Sequence, residues 1–489
     1  MPDHGLKRQG SAKKSRLLVT GTLFIVLLSL VLLPACDEQP SPLAPFYPYP
    51  PVEENGIFTS SPTSPTAAMR YVGTHDRTYI GFYSSTGSGN GLIEIRYWDE
   101  EDKTLSDAVT LWSGWGYDSS GQGPGDDHAS PSVLVLQYQT GENAIHNGKI
   151  LVAAAEHVCK NTDKGRCQTK RSVNGEDISE WESPVLLESV NATYTRLEEL
   201  NNGTVYLFYR LSHTAPNARS TFYYRSSTDA GASWSARTLL ADTDVADEGL
   251  YLLTCTNPER TQIHCMFNRT GINDPLPGQQ RYQDIYHVYY DLLSDEWRKM
   301  DGNEVTVPLS MSELDSVYVT ESNEDWTFLW DIKTDGDGNP YLVSVTIDEF
   351  DAFELGEGKT PELDCSVRRH NYDDGWQTEV VSSAGSGQFG TYTYPAGAVL
   401  DYSDVDTIYL SPYDASRRTQ LQKWQKVDGS WVRIEDITQS TEGWNFRPIA
   451  VRNGAGKFKI LWCYTERYSH FDPGYWESMI FAYPGDPGI

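Results

Sequence analysis

The sequence predicts an all-β chain: a seven-bladed β-propeller of four-stranded antiparallel blades, set behind an N-terminal signal segment and a Pro-rich tether. Composition points there first, because 30 Tyr, 14 Trp and 40 Gly suit many short strands and turns with aromatic faces. No long Ala/Leu/Glu/Lys pattern of helical period competes with them. Periodicity points there second. Trp recurs at the ends of strand-like runs, at Trp98, Trp181, Trp234, Trp297, Trp376 and Trp431, with gaps of 83, 53, 63, 79 and 55 residues. Units of this length built of about four strands are the size of propeller blades.

The first 35 residues are set apart from the rest. Lys7, Arg8, Lys13, Lys14 and Arg16 precede an almost wholly apolar run from Leu17 to Leu33, which ends in Leu33-Pro34-Ala35-Cys36. This reads as a lipoprotein signal peptide (residues 1–35) with Cys36 as the lipidated residue, although Pro34 is off the usual pattern. An uncleaved membrane anchor is the alternative, because the apolar run approaches the roughly 20 residues needed to span a bilayer. Either reading puts the remainder outside the cytoplasm. Residues 36–54, with Pro40, Pro42, Pro48, Pro50 and Pro51, cannot hold regular structure and are expected to form a semi-extended tether.

The blades follow from residue 55 to residue 489, with starts expected near Arg70, Ser130, Tyr194, Leu250, Ser316, Tyr392 and Asn445. The last unit lacks a final Trp strand, so a strand from residues 55–68 is expected to complete it and close the ring. Two separate β-sandwiches would need a linker, and none interrupts the series. One turn, from Ser227 to Trp234, matches the full Asp-box pattern S-x-D-x-G-x-x-W, in which Asp accepts backbone N–H bonds and Gly supplies a positive φ. This turn indicates a propeller and says nothing of function.

Charge narrows the partners. The formal net charge is −29, and without residues 1–35, which hold five of the 39 Lys+Arg and one of the 68 Asp+Glu, it falls to −33 (34 against 67). Nucleic acid is excluded, since its recognition needs basic stripes. An acidic polysaccharide as partner would require a local cationic island on this surface. A monomer is expected, with the membrane reached through the lipid anchor. Six cysteines remain beside Cys36, an even number for an oxidising compartment. The sequence allows local disulfides between Cys159 and Cys167 and between Cys255 and Cys265. A metal site drawing on Cys255, Cys265, His264 or His287 is the competing use of those residues, without CxxC spacing to support it.

The chemistry-bearing residues cluster between Gly125 and Arg210. Asp126-Asp127-His128-Ala129-Ser130-Pro131 comes first, His157 ends an apolar run, and Tyr194-Thr195-Arg196-Leu197 and Phe208-Tyr209-Arg210 follow. Further on stand Gly249-Leu250-Tyr251 and Asp284-Ile285-Tyr286-His287-Val288-Tyr289-Tyr290. This series resembles the BNR-repeat propellers that include ulvan lyases, with exo-α-L-rhamnosidases as relatives, over roughly residues 65 to 485. The resemblance implies that His128, His157, Tyr194 and Arg210 serve catalysis and the binding of a uronate carboxylate. One departure is Thr270-Gly271-Ile272-Asn273-Asp274-Pro275, where an Asp-Gly-His-Pro-like segment is common among such sequences.

The residue types suit that chemistry. β-Elimination across C4–C5 of a uronic acid removes a proton α to a carboxylate, which requires that the carboxylate be neutralised; Arg210 can do so with a bidentate pair. A base must take the C5 proton and an acid must protonate the O4 leaving group, roles for which a histidine and a tyrosine hydroxyl are suited. His128 and Tyr194 are assigned to base and acid without fixing which does which, and His157, Arg210 and Tyr251 to binding the uronate. Each has an ordinary structural reading as well: a turn cap, a strand-end histidine, an inter-blade aromatic, a surface ion-pairer. The elimination requires no cofactor, and a structural calcium or zinc is left open. Competing functions are a glycoside hydrolase on the same scaffold, rhamnosidase-like or sialidase-like, and a non-catalytic glycan-binding lipoprotein. The sialidase reading is weakened because the only Arg-x-Pro-like site, Phe446-Arg447-Pro448, comes late in the chain.

Overall fold

Runs such as Ile150–Ala155 and Ile460–Thr465 are apolar at nearly every position and wholly buried, as strands covered on both faces must be. Ser430–Asp436, by contrast, is exposed along almost its whole length, as expected of an outermost strand. Repetition of this inner-to-outer gradient gives the architecture. The computed structural model describes residues 51–484 apart from 52, 54–55, 58–66, 86–90, 116–126, 157–164, 190, 213–219, 244, 246–247, 272–280, 321–324, 348–361, 372–373, 387–396, 414–417, 440–442, 455–457 and 466–477.

The described residues form seven successive antiparallel meanders. Their innermost strands are Ala68–Val72, Ser132–Val135, Ala192–Glu199, Glu248–Thr256, Trp326–Thr334, Ala398–Leu400 and Trp444–Ala450. The third and fourth meanders share one hydrogen-bonded sheet because the parallel pair Ser220 with Gly249 joins them, and Ala241 and Asp242 of the third pair in parallel with Leu309 and Ser310. The fold is thus the all-β propeller the Trp period predicts. Where neighbouring meanders press together a small residue is needed: a Cβ at Gly81 would lie 2.7 Å from Val133 Cγ2.

Three expectations need correction. Ser316 does not begin a unit. It belongs to Asp315–Tyr318, which pairs with Arg281–Asp291 on the outer side of the fourth meander, and the fifth begins at Trp326. A Val/Tyr-rich run looks the same in sequence whether it is inner or outer. At the ring closure, the partner of the last strand is Glu53, bridged to Ile480 in both directions at 3.3 and 2.8 Å, whereas Gly56–Ile57 adds to Asp76–Ser85. A second tie pairs Met69 with Arg452. Cys255 and Cys265 are not joined: Cys265 stands opposite Thr254 and Cys255 opposite His264, so the one-residue offset turns the two thiols to opposite faces of the ladder. Cys167 is buried, and its expected partner Cys159 lies outside the described residues, as do residues 1–35 and Cys36.

Around the axis the inner strands end in charge. Arg452 of the seventh meander donates to Glu198 of the third at 2.8 Å and to the Leu197 carbonyl at 2.7 Å. The Thr254 hydroxyl donates to the same carboxylate at 2.7 Å, and Arg196 donates to the Thr254 carbonyl at 3.0 Å. Glu198 and Arg452 are almost wholly buried, so the pair ties opposite parts of the ring together out of water.

Candidate active site

At the other ends of these inner strands the sequence-predicted residues meet. His128 sits in the short 3-10 turn Asp127–Ala129 that leads into the second meander. Tyr194 lies in the inner strand of the third, and Arg210 in the strand beside it, paired with Thr193 on one side and Phe222 on the other. Tyr251 lies in the inner strand of the fourth. All four side chains are buried.

Local backbone geometry aims Tyr194. Pairing runs from Thr193 with Arg210 to Arg196 with Phe208, so the strand carries one extra residue there, a β-bulge. Tyr194 occupies it with φ +55°, a left-handed conformation that a bulky residue adopts only when its surroundings impose it. The bulge is fixed from the second meander. The Thr195 hydroxyl donates to the Ala153 carbonyl at 3.0 Å, and the Leu197 amide donates to the Ser132 hydroxyl at 3.1 Å.

The result is a row of rings. The centroids of His128 and Tyr194 are 5.8 Å apart, those of Tyr194 and Tyr251 5.4 Å, and those of Tyr251 and Tyr282 5.1 Å. The row continues to Phe328 at 4.5 Å and Trp326 at 6.2 Å from Tyr282. The Arg210 guanidinium carbon lies over two of the rings, 4.5 Å from the centre of Tyr194 and 4.8 Å from that of Tyr251. No ion pair joins Arg210 to a carboxylate among the described residues. Burial weakens its hold on the proton, and Tyr251 and Tyr194 more than offset this, so Arg210 stays a cation.

Tyr251 is the electrostatically perturbed phenol. Burial pushes its pKa up, but Arg210, a hydrogen bond with Tyr282 and the nearby His128 outweigh that and hold it below the ordinary tyrosine value. The cluster therefore combines a desolvated cation, an imidazole and two phenols within one row. That set can neutralise a carboxylate and move protons to and from a carbon and an oxygen beside it.

His157 lies outside the described residues. The residue before it is placed: Glu156, buried, accepts from the Gly165 and Arg166 amides at 3.2 and 3.1 Å and pairs with the Arg166 guanidinium, closing the stem of the 157–164 segment. Tyr282, Trp326 and Phe328 were missed by the sequence reading. Tyr282 opens the run that includes Asp284 to Tyr290, but its place beside Tyr251 depends on the register among the three strands Glu248–Thr256, Gln262–Gly271 and Arg281–Asp291 of the fourth meander. His264 and His287 contact each other, with Nδ1 and Nε2 3.0 Å apart, on strands of the same meander that carries Tyr251 and Tyr282.

The sequence matches the description "BNR repeat-containing family member" over residues 77–382. The chain belongs to the BNR repeat-containing family. It is 24% identical to the ulvan lyase of Nonlabens ulvanivorans over 242 residues, 47% of this chain and 50% of that protein. The match thus spans half the length of that curated relative. Among solved structures it is similar to a PL25 ulvan lyase bound to -[GlcA(1-4)Rha3S]-, with a TM-score of 0.66 at 16% identity, covering 89% of this chain and 96% of the other. It is also similar to the polysaccharide lyase Uly1, with a TM-score of 0.57 at 12% identity, covering 88% and 92% of the two chains. At these identities the structural likeness establishes the propeller fold of the BNR-repeat chain.

Proposed function

We propose that this protein is a polysaccharide lyase that cleaves a uronic-acid-containing, ulvan-like polysaccharide by β-elimination. The observation that carries this reading is Arg210: a buried guanidinium with no carboxylate partner among the described residues, cradled by Tyr194 and Tyr251 and beside His128. A cation held dry in an aromatic cradle is arranged for an anion that arrives with the substrate, and a uronate carboxylate is planar and bidentate as the guanidinium requires. The likeness to the ulvan lyases in sequence and fold supports the same substrate class.

In this mechanism Arg210 pairs with the uronate carboxylate and stabilises the dianionic charge that builds as C5 loses its proton. His128 and Tyr194 act as the base at C5 and the acid at O4, and Tyr251, with His157, holds the sugar against Arg210. The elimination needs no external reductant or oxidant: the C5–H and C4–O bonds break, a C4=C5 double bond forms, and the proton count is restored by the acid. The chain is proposed to work outside the cytoplasm, lipidated at Cys36 after removal of residues 1–35, with the Pro-rich stretch that follows as tether and the propeller, which takes in Glu53, as the catalytic domain.

The test is incubation of the protein from residue 51 onward with a panel of acidic polysaccharides, following the ultraviolet absorbance of the unsaturated uronate. New absorbance is expected with uronate polymers, abolished by His128→Ala and by Tyr194→Phe with binding largely kept, since both groups act in the transition state. New reducing ends without that absorbance would establish a hydrolase instead.

A further inference from the structure

The end of the axis opposite the aromatic row holds a cavity of about 530 Å³, within the range of small-ligand sites. Its place follows from strand direction. Tyr194 and Glu198 share one inner strand, and Tyr251 and Cys255 another, four residues apart in each case. At about 3.3 Å per residue, that separates the cavity from the catalytic row by roughly 13 Å along the axis. Two tyrosines, Tyr138 and Tyr402, line it, with Arg260, Lys333 and Ser403.

Two of the cations at the cavity are paired with carboxylates, two of its carboxylates are held by hydrogen bonds within their own turns, and the Glu198 and Glu199 carboxylates act on Arg260 from nearby without bonding it. Glu198 pairs with Arg452, and Lys333 pairs with Asp331 at 3.2 Å. Asp335 accepts the amides of Asp337 and Asn339 in its own turn at 3.0 and 2.8 Å, and Asp404 accepts from the Asp406 amide and the Thr407 hydroxyl at 3.0 and 2.7 Å. Arg260 has no ion pair among the described residues. Only 5% exposed, its guanidinium makes one hydrogen bond there, to the Glu199 carbonyl at 3.0 Å, and lies 4.7 Å over the Tyr138 ring. An arginine carries five N–H donors, so most of them are left for whatever enters. The Glu199 carboxylate is turned to other donors, the Gln137 and Tyr138 amides and the Gln139 side chain.

Arg260 is also held in place before any ligand arrives. It sits in a left-handed conformation, φ +53°, in the hairpin turn after Asn257. Its amide donates to the Asn257 carbonyl at 3.0 Å, and its carbonyl accepts from the Asn201 amide of the third meander at 3.0 Å. A cation fixed over one tyrosine with another tyrosine on the same wall suits a ring that carries a carboxylate: the fork binds the two oxygens and the tyrosines cover the sugar.

We propose that this cavity is a second, non-catalytic site that binds a uronate sugar unit through Arg260. The inference stands on the cavity and the buried cation, and does not depend on the lyase chemistry at the other end of the axis. The test is isothermal titration of D-glucuronate, glucose and acetate into the protein carrying Arg210→Ala, which weakens the catalytic site. Glucuronate is expected to bind at least tenfold more tightly than either of the others, and Arg260→Met to lose at least tenfold. Tyr402→Ala, which removes a ring that the Lys333 ammonium faces at 5.8 Å but no hydrogen bond among the described residues, should weaken glucuronate and leave acetate unchanged, which keeps the proposal testable if Arg260→Met is poorly folded. Acetate binding as tightly as glucuronate would replace the sugar site by a small-anion site. Glucuronate binding that is absent, or indifferent to both substitutions, would overturn the proposal.

Discussion

Replacing Arg210 by alanine removes a buried cation of the aromatic row that has no carboxylate partner among the described residues. The side chain is 5% exposed and lies 4.5 and 4.8 Å over two rings, so water does not substitute for it when the substrate carboxylate develops dianionic charge. A preorganised donor at a developing oxyanion is worth about 2.7–4 kcal/mol, or roughly 100- to 1000-fold in rate. The loss should fall on kcat and on kcat/KM together, because the interaction strengthens as the proton leaves. Arg210→Lys keeps a point charge and loses the planar fork, and should recover part of the loss without reaching the parent. The assay is initial-rate absorbance of the unsaturated product on a uronate polymer, with thermal unfolding as the folding control. Alanine and lysine variants that both turn over within about threefold of the parent, while folded, would refute the assignment of Arg210 to the uronate carboxylate.

Three further outcomes follow from the same structure. Tyr282→Phe removes a hydrogen bond that helps hold Tyr251 below the ordinary tyrosine range, so the lowest-titrating tyrosine should move up in a tyrosinate absorbance titration; an unchanged curve would separate Tyr282 from Tyr251. Because the folded-state pKa of Tyr251 lies below its unfolded value of about 10, the unfolded chain holds the extra proton between the two. Stability from this group is therefore present above that window and lost as pH falls through the folded value. Glu198→Ala strands Arg452 and Arg196 in the interior, which costs about 3–5 kcal/mol for a broken buried pair. With an unfolding entropy of about 2.1 cal/mol/K per residue over roughly 430 residues, that is a fall of about 3–6 °C in Tm by calorimetry. Glu198→Met combined with Arg452→Met should cost less than Glu198→Ala alone, and an equal or larger fall would show that the charge pair is not the cause.

The propeller was legible in the sequence because its cause is local and repeated. Trp-marked turns, strands of near-continuous Val, Leu, Ile and Tyr, and the Ser227 to Trp234 turn each state the same preference, and no residue far away needs to be consulted. In the structure Asp229 accepts the Ser233 amide at 2.9 Å and Gly231 takes φ +82°, bonds closed within five residues. His128, Tyr194, Arg210 and Tyr251 were legible as candidates for the same reason, through residue type and order along the chain.

What the tertiary structure decided is everything that depends on register and on packing between meanders. A strand has period two, so one residue more or less exchanges its faces. The bulge at Tyr194 turns its ring toward Arg210, and the offset between Cys255 and Cys265 turns their thiols apart, yet neither shift leaves a mark in composition. Whether Asp315–Tyr318 is an inner or an outer strand was likewise settled by its pairing with Arg281–Asp291. Tyr282 reaches Tyr251 through the strand register of the fourth meander, and Arg452 reaches Glu198 across 254 positions because the ring closes. Local propensity fixes the strands one by one, whereas the row of rings and the charged axis arise from burial shared among all of them.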